Sequence, residues 1–110
     1  MSDSWYRVAP AVDIPVSGMR AFSVDGRDVV VCNTQEGFFA LGNACSHAEA
    51  KMNEGRLRGC RIICPLHGGS FDVRNGAALG SPAVSPLRSY ATRVVDGEVE
   101  IELGDSPPVS

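Results

Sequence analysis

The sequence predicts an all-β protein built from small antiparallel sheets. Three turn dipeptides carry this prediction, namely Asp25-Gly26, Asn75-Gly76 and Asp96-Gly97. An Asp-Gly or Asn-Gly pair tolerates positive φ angles at both turn positions, so each pair marks a point at which two strands can form a hairpin. The chain also contains no repeat, no heptad pattern and no long amphipathic helix. Antiparallel strands are therefore expected to be its main elements.

The first three strands are predicted around Asp25-Gly26 and after the next polar turn. Residues 19–24 and 27–33 flank Asp25-Gly26 as a hairpin, and residues 37–42 follow the turn at residues 34–36. Because each connection is short and polar, the three strands are expected to form a meander.

The last hairpin is predicted to join residues 90–95 with residues 98–103. Its second strand alternates apolar and acidic residues, which are Val99, Ile101 and Leu103 against Glu98, Glu100 and Glu102. This alternation has the period of a strand that turns one face toward a core and the other toward water. We therefore expect the apolar residues to be buried and the glutamates to face solvent.

The segments 45–57, 65–70 and 81–86 are predicted to be loops. They carry scattered Gly, Pro and small residues without a sustained period. In the third segment two prolines also exclude a central strand, because proline cannot donate a ladder hydrogen bond. One short helical turn is predicted around residues 48–52.

Length and composition limit the classes of protein that fit. The chain has 110 residues, so we expect a single domain over residues 1–104 and a flexible tail at residues 105–110. A net charge of -3 argues against nucleic-acid binding, which normally needs clustered Lys and Arg. The chain starts without a signal-peptide pattern, and no apolar run approaches the roughly 20 residues of a membrane helix. A cytoplasmic location with no membrane contact is therefore expected.

Both histidines of the chain stand close to a cysteine, in Cys45-Ser46-His47 and in Cys64-Pro65-Leu66-His67. Buried thiols with surface imidazoles would be an ordinary explanation for one such pair. Two pairs, each on a predicted loop, instead form a complete set of two thiolates and two neutral imidazoles. These ligand types suit either tetrahedral zinc or an iron–sulfur cluster.

The spacing within the first pair favours a target wider than one ion. Zinc-finger ligands are usually two to four residues apart, so that the loop between them wraps a single ion. With one intervening residue, an extended segment points Cys45 and His47 in the same direction, with α-carbons about 6.6 Å apart. This arrangement suits two metal ions, with each loop giving a sulfur to one and a nitrogen to the other.

The pattern Cys-x-His, sixteen residues, Cys-x-x-His followed by Gly68 resembles the signature of Rieske iron–sulfur proteins. The likeness continues through Glu54-Gly55-Arg56-Leu57, Phe71-Asp72, Asn75-Gly76 and Gly80-Ser81-Pro82-Ala83. Over nearly the whole chain, length and strand order are similar to the soluble Rieske ferredoxins of bacterial ring-hydroxylating dioxygenase systems. The resemblance implies a Rieske-type fold with two cluster-binding loops. It also implies one [2Fe-2S] cluster, with Cys45 and Cys64 on one iron, His47 and His67 on the other, and Pro82 in a covering loop.

By this resemblance the protein is expected to be a monomeric one-electron carrier and not an enzyme. It would pass electrons from an NAD(P)H-dependent flavoprotein ferredoxin reductase to a terminal aromatic ring-hydroxylating dioxygenase. The chain has no third or fourth histidine for the separate mononuclear iron of an oxygenase. Two alternatives remain open, a small Rieske subunit of another redox enzyme such as nitrite reductase and a structural zinc module without a redox role.

The ligand set and its departures from the respiratory branch of the family predict the redox potential. Two thiolates and two imidazoles leave an oxidised cluster neutral, which raises its potential above that of a four-thiolate cluster. The respiratory branch adds a disulfide between the loops, but the matching positions here are Ala50 and Leu66. It also places hydroxyl donors where this chain has Gly69 and Phe71. We therefore expect a potential near the low end of the Rieske range, around -150 mV.

The other two cysteines are predicted to have structural roles. Cys32 ends the run Val29-Val30-Val31 and is expected to be a small core residue. Cys60 shares a strand face with Ile62 and Cys64, but four residues at about 3.3 Å each place it some 13 Å from Cys64. Cys60 is therefore not expected to join the same metal centre.

Overall fold

Ten strands form two antiparallel sheets in the computed structural model, which describes residues 5–43, 51–65, 69–80 and 86–103. The strands are β1 (Trp5–Pro10), β2 (Met19–Val24), β3 (Arg27–Thr34), β4 (Gly37–Gly42), β5 (Arg56–Arg58), β6 (Arg61–Ile63), β7 (Ser70–Asp72), β8 (Ala78–Gly80), β9 (Ser89–Val95) and β10 (Glu98–Glu102). Two short 3₁₀ helices span Ala11–Asp13 and Met52–Glu54. Within the described residues no helix is long and apolar enough to cross a membrane.

The larger sheet has the strand order β1-β10-β9-β4-β3-β2, and the smaller has the order β5-β6-β7-β8. All neighbouring strands run antiparallel. The predicted all-β class with small antiparallel sheets is thus confirmed. The prediction of one domain over residues 1–104 stays a prediction, and the predicted tail at residues 105–110 lies outside the described residues.

The predicted hairpins are present, and their strand bounds agree to within one residue. At Asp25-Gly26 the φ angles are 50° and 79°, and at Asp96-Gly97 they are 53° and 78°. Positive φ at both central positions is the geometry that joins two twisted strands with a two-residue turn. Gly76 also has a positive φ of 82° and lies in the longer connection between β7 and β8.

Two local predictions need correction, and a third lies mostly outside the described residues. β5 begins at Arg56, inside the segment predicted to be a loop over residues 45–57, and extends to Arg58, while β7 begins at Ser70, the last residue of the second predicted loop. Of the helical turn predicted around residues 48–52, only Met52 lies in a described 3₁₀ helix, while residues 48–50 lie outside the described residues. Strands of three residues are too short to show a period, so pairing with β6 defines them instead.

The predicted solvent face of β10 is partly covered, which corrects a further expectation. Val99, Ile101 and Leu103 are buried as predicted, but Glu100 is only 9% exposed. β1 pairs with one side of β10 and β9 with the other. From β9, Arg93 Nε donates to Glu100 Oε1 at 2.8 Å, and the Arg93 guanidinium lies 4.0 Å from the centre of the Trp5 ring on β1. Side chains of the flanking strands therefore cover a carboxylate that the alternation alone would leave in water.

The strand β3, which lies between β4 and β2 in the larger sheet, is buried on both faces, and its alternation divides the apolar residues into two cores. Val29 and Val31 pack into one core with residues of β4 and β10, while Val30 and Cys32 pack into the other. This second group lies between the two sheets, and we call it the inter-sheet core. It contains Val30, Cys32, Leu41, Met52, Ile62, Cys64, Phe71, Val73 and Leu87. The inter-sheet core fixes the smaller sheet, and with it Cys64, against the larger one.

Candidate metal centre

Cys64 is the predicted metal ligand that the described residues include. It directly follows β6, is 2% exposed and packs in the inter-sheet core. Its backbone N–H donates to the carbonyl oxygen of Gly69 at 2.7 Å, one step beyond the paired residues Ile63 and Ser70. The pair formed by Cys64 and Gly69 therefore closes the base of the segment that contains His67.

All three segments that the sequence assigns to the site join the smaller sheet at the same end. Four residues form a row across this end, namely Arg56, Ile63, Ser70 and Gly80. The chain leaves the sheet here after β6 and after β8, and enters it before β5 and before β7. Residues 66–68 and 81–85 are thus attached to this end, and residues 44–50 are joined to it through residues 51–55. We call it the metal-centre end of the sheet.

Asn43 closes the base of the segment that contains Cys45 and His47. Its carbonyl oxygen accepts from the N–H of Met52 at 2.6 Å, and its side-chain oxygen accepts from the N–H of Asn53 at 2.8 Å. The Asn43 amide in turn donates to Asn53 Oδ1 at 2.8 Å and to Asp28 Oδ1 at 3.2 Å. Asp28 also forms an ion pair with Lys51. Because Asn43 is 2% exposed, these bonds satisfy a buried polar side chain and join both ends of the segment.

Gly55 brings the end of the first segment against the start of the second. A Cβ atom at this position would lie 1.9 Å from the carbonyl oxygen of Ile63 and 3.1 Å from Pro65 Cδ. Real Cβ atoms do not approach a backbone oxygen so closely, so only glycine fits here without movement. The backbones on either side of the two predicted ligand segments are therefore in direct contact.

Gly76 and Leu87 anchor the segment that contains Pro82. The N–H of Leu87 donates to the carbonyl oxygen of Gly76 at 2.8 Å, and the N–H of Gly42 donates to the carbonyl oxygen of Arg88 at 2.8 Å. A Cβ atom at Gly76 would lie 2.1 Å from the Leu87 oxygen. Pro82 itself lies outside the described residues. The chain that follows its segment is thus tied to both sheets.

Three of the four predicted ligands, Cys45, His47 and His67, also lie outside the described residues. Among the residues that are described, no group of three or more His, Cys, Asp or Glu could hold a metal ion. The test of fit therefore rests on Cys64, on the shared metal-centre end and on the donor set. A buried cysteine at the base of a closed hairpin, with one more thiol and two imidazoles on attached segments, fits an iron–sulfur cluster with mixed ligands.

The two remaining cysteines are not at the metal-centre end. Cys32 is fully buried in the inter-sheet core, as predicted, and burial raises the pKa of its thiol to about 12. Cys60 is partly buried in the turn between β5 and β6, at the opposite end of the smaller sheet from Cys64. Its carbonyl oxygen accepts from the N–H of Val73 at 2.8 Å. Both cysteines therefore serve the packing of the fold.

Thiol labelling distinguishes these two cysteines. Iodoacetamide is expected to alkylate Cys60 and not Cys32 in the folded holoprotein at neutral pH, because the Cys32 thiol is inaccessible and its raised pKa keeps it protonated. Mass spectrometry of tryptic peptides measures the labelled positions. A Cys60→Ser variant should lose the label and a fully unfolded sample should gain label at Cys32. Labelling of Cys32 in the folded protein would contradict its burial.

The sequence alone did not identify Asn43, Gly55 or Gly76 as the residues that hold the site together. Gly76 was visible as a turn residue, but its contact with Leu87 joins parts of the chain that the turn does not explain. Asn43 has no local signal, and Gly55 stands out only within the stretch that resembles the Rieske family. Each residue contacts a backbone group that is distant along the chain. The close approach of Gly55 to Ile63 follows only from the packing of β5 on β6.

The described structure is a small all-β protein whose buried Cys64 lies at the base of a hairpin loop. Residues 4–91 match the Rieske [2Fe-2S] domain, and the chain belongs to this family. Its cofactor is accordingly a [2Fe-2S] cluster of the Rieske type. The protein is an electron-transfer component and not a catalytic enzyme.

Known proteins resemble the chain over nearly its full length. The ferredoxin component of a naphthalene 1,2-dioxygenase system from Pseudomonas aeruginosa is 31% identical over 103 residues, which cover 94% of this chain and 99% of that protein. The ferredoxin of carbazole 1,9a-dioxygenase from Nocardioides aromaticivorans IC177 superposes with a TM-score of 0.86 at 38% identity, over 89% of this chain and 96% of that one. A ferredoxin in a complex of reduced oxygenase and oxidised ferredoxin of carbazole 1,9a-dioxygenase superposes with a TM-score of 0.87 at 31% identity, over 94% and 97% of the two chains.

Proposed function

We propose that the protein carries single electrons from an NAD(P)H-dependent flavoprotein ferredoxin reductase to a terminal aromatic ring-hydroxylating oxygenase. The observation that carries this proposal is the match to dioxygenase ferredoxin components over 94% of this chain and 99% of the relative. The oxygenase partner is supported by the similar ferredoxin that was solved in complex with its oxygenase. No described feature of the chain favours the alternative of a nitrite reductase subunit.

We propose that Cys45 and Cys64 hold one iron of the cluster and that His47 and His67 hold the other. The burial of Cys64 and the attachment of all the ligand segments to one end of the smaller sheet support this assignment. When bound, the [2Fe-2S] cluster supplies one reversible electron. Each ligand segment carries one sulfur and one nitrogen donor, so both segments must be held in fixed relation to each other.

The residues around the site are well placed to hold the two ligand segments in fixed relation to each other. Asn43 joins the two ends of one segment, the Cys64 N–H closes the other, and Gly55 holds the two backbones in contact. Cys64 also lies among apolar side chains, which exclude water from its side of the site. Ends held in this way favour a ligand arrangement that changes little between the two oxidation states of the cluster.

We further propose that the carrier works as a monomer in the cytoplasm and that residues 1–104 form its single domain. A carrier that alternates between two partners is best served by small, weak contacts, typically below about 1,200 Å². The net charge of -3 keeps such a small protein dispersed in solution.

Visible absorption and low-temperature EPR spectra before and after dithionite test the proposal. A red-brown sample that gains an EPR signal on reduction is expected for this mixed ligand set. Electron transfer is then measured by adding the reductase and oxygenase components of an aromatic dioxygenase system and following product formation. A colourless, EPR-silent protein that contains zinc would overturn the proposal.

The reduction potential is expected to lie around -150 mV, near the low end of the range for histidine-ligated clusters. Gly69 offers no side-chain donor, and the Phe71 side chain is fully buried in the inter-sheet core without a hydroxyl group. Two hydrogen bonds that would stabilise the reduced cluster are therefore missing. A spectroelectrochemical titration measures the potential, and a value above about +100 mV would contradict this reasoning.

Replacing His67 with cysteine is expected to lower the potential in those molecules that still assemble a cluster. A thiolate in place of a neutral imidazole adds one negative charge at the site, and addition of an electron then becomes less favourable. The shift should be toward the values of four-thiolate clusters, about -400 mV. The same titration measures it, with His47→Cys as the matched variant on the other segment. An unchanged potential in both variants would contradict the charge argument.

A further inference from the structure

The outward face of the smaller sheet carries three exposed arginines, Arg56 and Arg58 on β5 and Arg61 on β6. Their neighbours Leu57 and Ile62 point inward and pack in or against the inter-sheet core. Arg58 lies directly opposite Arg61 in the strand register. Like charges placed opposite each other destabilise an antiparallel pair. We call these three residues the arginine face.

No acidic side chain among the described residues forms an ion pair with the arginine face. The nearest carboxylate across the sheet belongs to Asp72 on β7, and Arg74 occupies it through bonds of 3.0 Å from both Nε and Nη2. This contact holds the pKa of Asp72 below its usual value, so the carboxylate stays ionised and paired. The charges of Arg58 and Arg61 are thus left without a partner in the described structure.

A depression beside the arginine face combines basic side chains with one exposed apolar side chain. Arg58 and Arg61 line a depression of about 310 Å³, together with Cys60, Asp72, Arg74 and Leu79. Leu79 is 47% exposed and adds apolar surface to this depression. Arginine beside exposed apolar surface is typical of the residues that dominate protein interfaces.

We infer that the arginine face binds an acidic surface on a partner protein. The identification of that partner as a redox protein rests on the proposed function. The chain has a net charge of -3, so a concentrated positive face is a local feature that is opposite in sign to the whole molecule. Such a dipolar distribution orients a protein as it approaches an oppositely charged surface and raises the rate of productive encounters.

The position of the arginine face fits a partner that exchanges electrons. Arg56 belongs to the row at the metal-centre end, beside Ile63. Arg61 precedes Cys64 by three residues, which places their α-carbons about 10 Å apart along an extended strand. Arg58 and Arg61 lie at the other end of the same short strands, so a protein that covers the whole arginine face extends from that end to the metal-centre end. A nucleic acid is the less suitable ligand, because no aromatic side chain lies on the described part of this face to stack against a base.

Fluorescence anisotropy with labelled poly-L-glutamate tests the inference, and a labelled single-stranded oligonucleotide serves as the competing probe. The variant Arg58→Gln/Arg61→Gln is compared with Arg20→Glu, an exposed position on β2 of the other sheet. Both variants lower the net charge from -3 to -5, so any difference between them reflects position and not total charge. EPR spectra of the same samples report the cluster independently of binding.

Wild-type protein is expected to bind poly-L-glutamate with an affinity that falls as salt is added. The double variant should bind about tenfold more weakly, and Arg20→Glu should differ from wild type by less than about twofold. The double variant should also melt no lower than wild type, because the repulsion between Arg58 and Arg61 is removed. The inference would be overturned if both variants lost equal affinity or if the wild-type protein did not bind poly-L-glutamate. It would also be overturned if the oligonucleotide bound more tightly than poly-L-glutamate or if the double variant melted at a lower temperature than wild type. A sample that binds poly-L-glutamate but lacks the EPR signal would refute the proposed function, while the inference that the arginine face binds an acidic surface would still hold.

Discussion

Replacement of Cys64 by serine is expected to abolish the [2Fe-2S] cluster and to destabilise the fold. Serine keeps the size of the side chain but removes the thiolate that iron requires. Because Cys64 lies in the inter-sheet core, the loss also leaves a buried hydroxyl where both sheets meet. Metal binding contributes directly to the folding free energy of so small a domain. We expect a loss of about 4 kcal/mol or more, in the range reached when a metal site is removed.

Cys60→Ser is the matched control, because Cys60 packs against the same core four residues earlier. It lies at the far end of the smaller sheet and should retain full iron and sulfide content, with a cost below about 1 kcal/mol. Iron and acid-labile sulfide assays, together with the EPR spectrum, measure both variants. A complete cluster in Cys64→Ser, or an equal loss in Cys60→Ser, would show that the ligand assignment is wrong.

The strands that the sequence predicted are those whose signals are local. β2, β3 and β4 are joined by short turns, and the turns that start β3 and β10 contain an Asp-Gly pair with positive φ at both residues. β1 was not predicted, since its pairing partner β10 lies at the other end of the chain and no turn connects them. The three-residue strands are too short for a period, and their pairing within the smaller sheet depends on the inter-sheet core.

The chemistry of the site could be predicted from the sequence because it depends on residue type and spacing. Two histidines, each close to a cysteine, specify a donor set whatever fold presents it. The scaffold that holds these donors could not be predicted in the same way. Asn43 and Gly55 act through contacts with residues ten and eight positions away, at backbone groups whose location only the folded chain determines.

Glu100 shows that the same limit on prediction from sequence applies to a charged residue. Alternation along β10 correctly assigns its apolar face, because burial of Val99 and Ile101 follows the period of the strand. It says nothing about whether neighbouring strands carry side chains long enough to cover the other face. Here Arg93 supplies an ion pair from β9, and Trp5 from β1 packs on its guanidinium. Long side chains on adjacent strands therefore determine the environment of the acidic face.

Replacement of Gly55 by alanine is expected to separate the two ligand segments and lower cluster content several-fold. The new Cβ would lie 1.9 Å from the Ile63 carbonyl oxygen, an approach that forces the backbone next to Cys64 to move. Neither neighbour is the flexible end of a side chain, because the contact is with backbone and with the ring of Pro65. Overpacking of this kind costs about 3 kcal/mol. In a domain of this size that corresponds to a fall of about 15 °C in melting temperature.

Gly59→Ala is the control, because Gly59 lies in the turn at the opposite end of β5. Its φ is 57°, and a Cβ there would meet nothing within 4 Å. The substitution should cost about 1 kcal/mol for the left-handed backbone and leave the cluster intact. Iron content and melting temperature at a fixed scan rate compare the two variants. If Gly55→Ala assembled as much cluster as Gly59→Ala, the backbone contact between the segments would have no part in holding the metal centre. If it lost the cluster while Gly59→Ala kept it, the position of one carbonyl oxygen, and not the ligands alone, would determine whether the site can form.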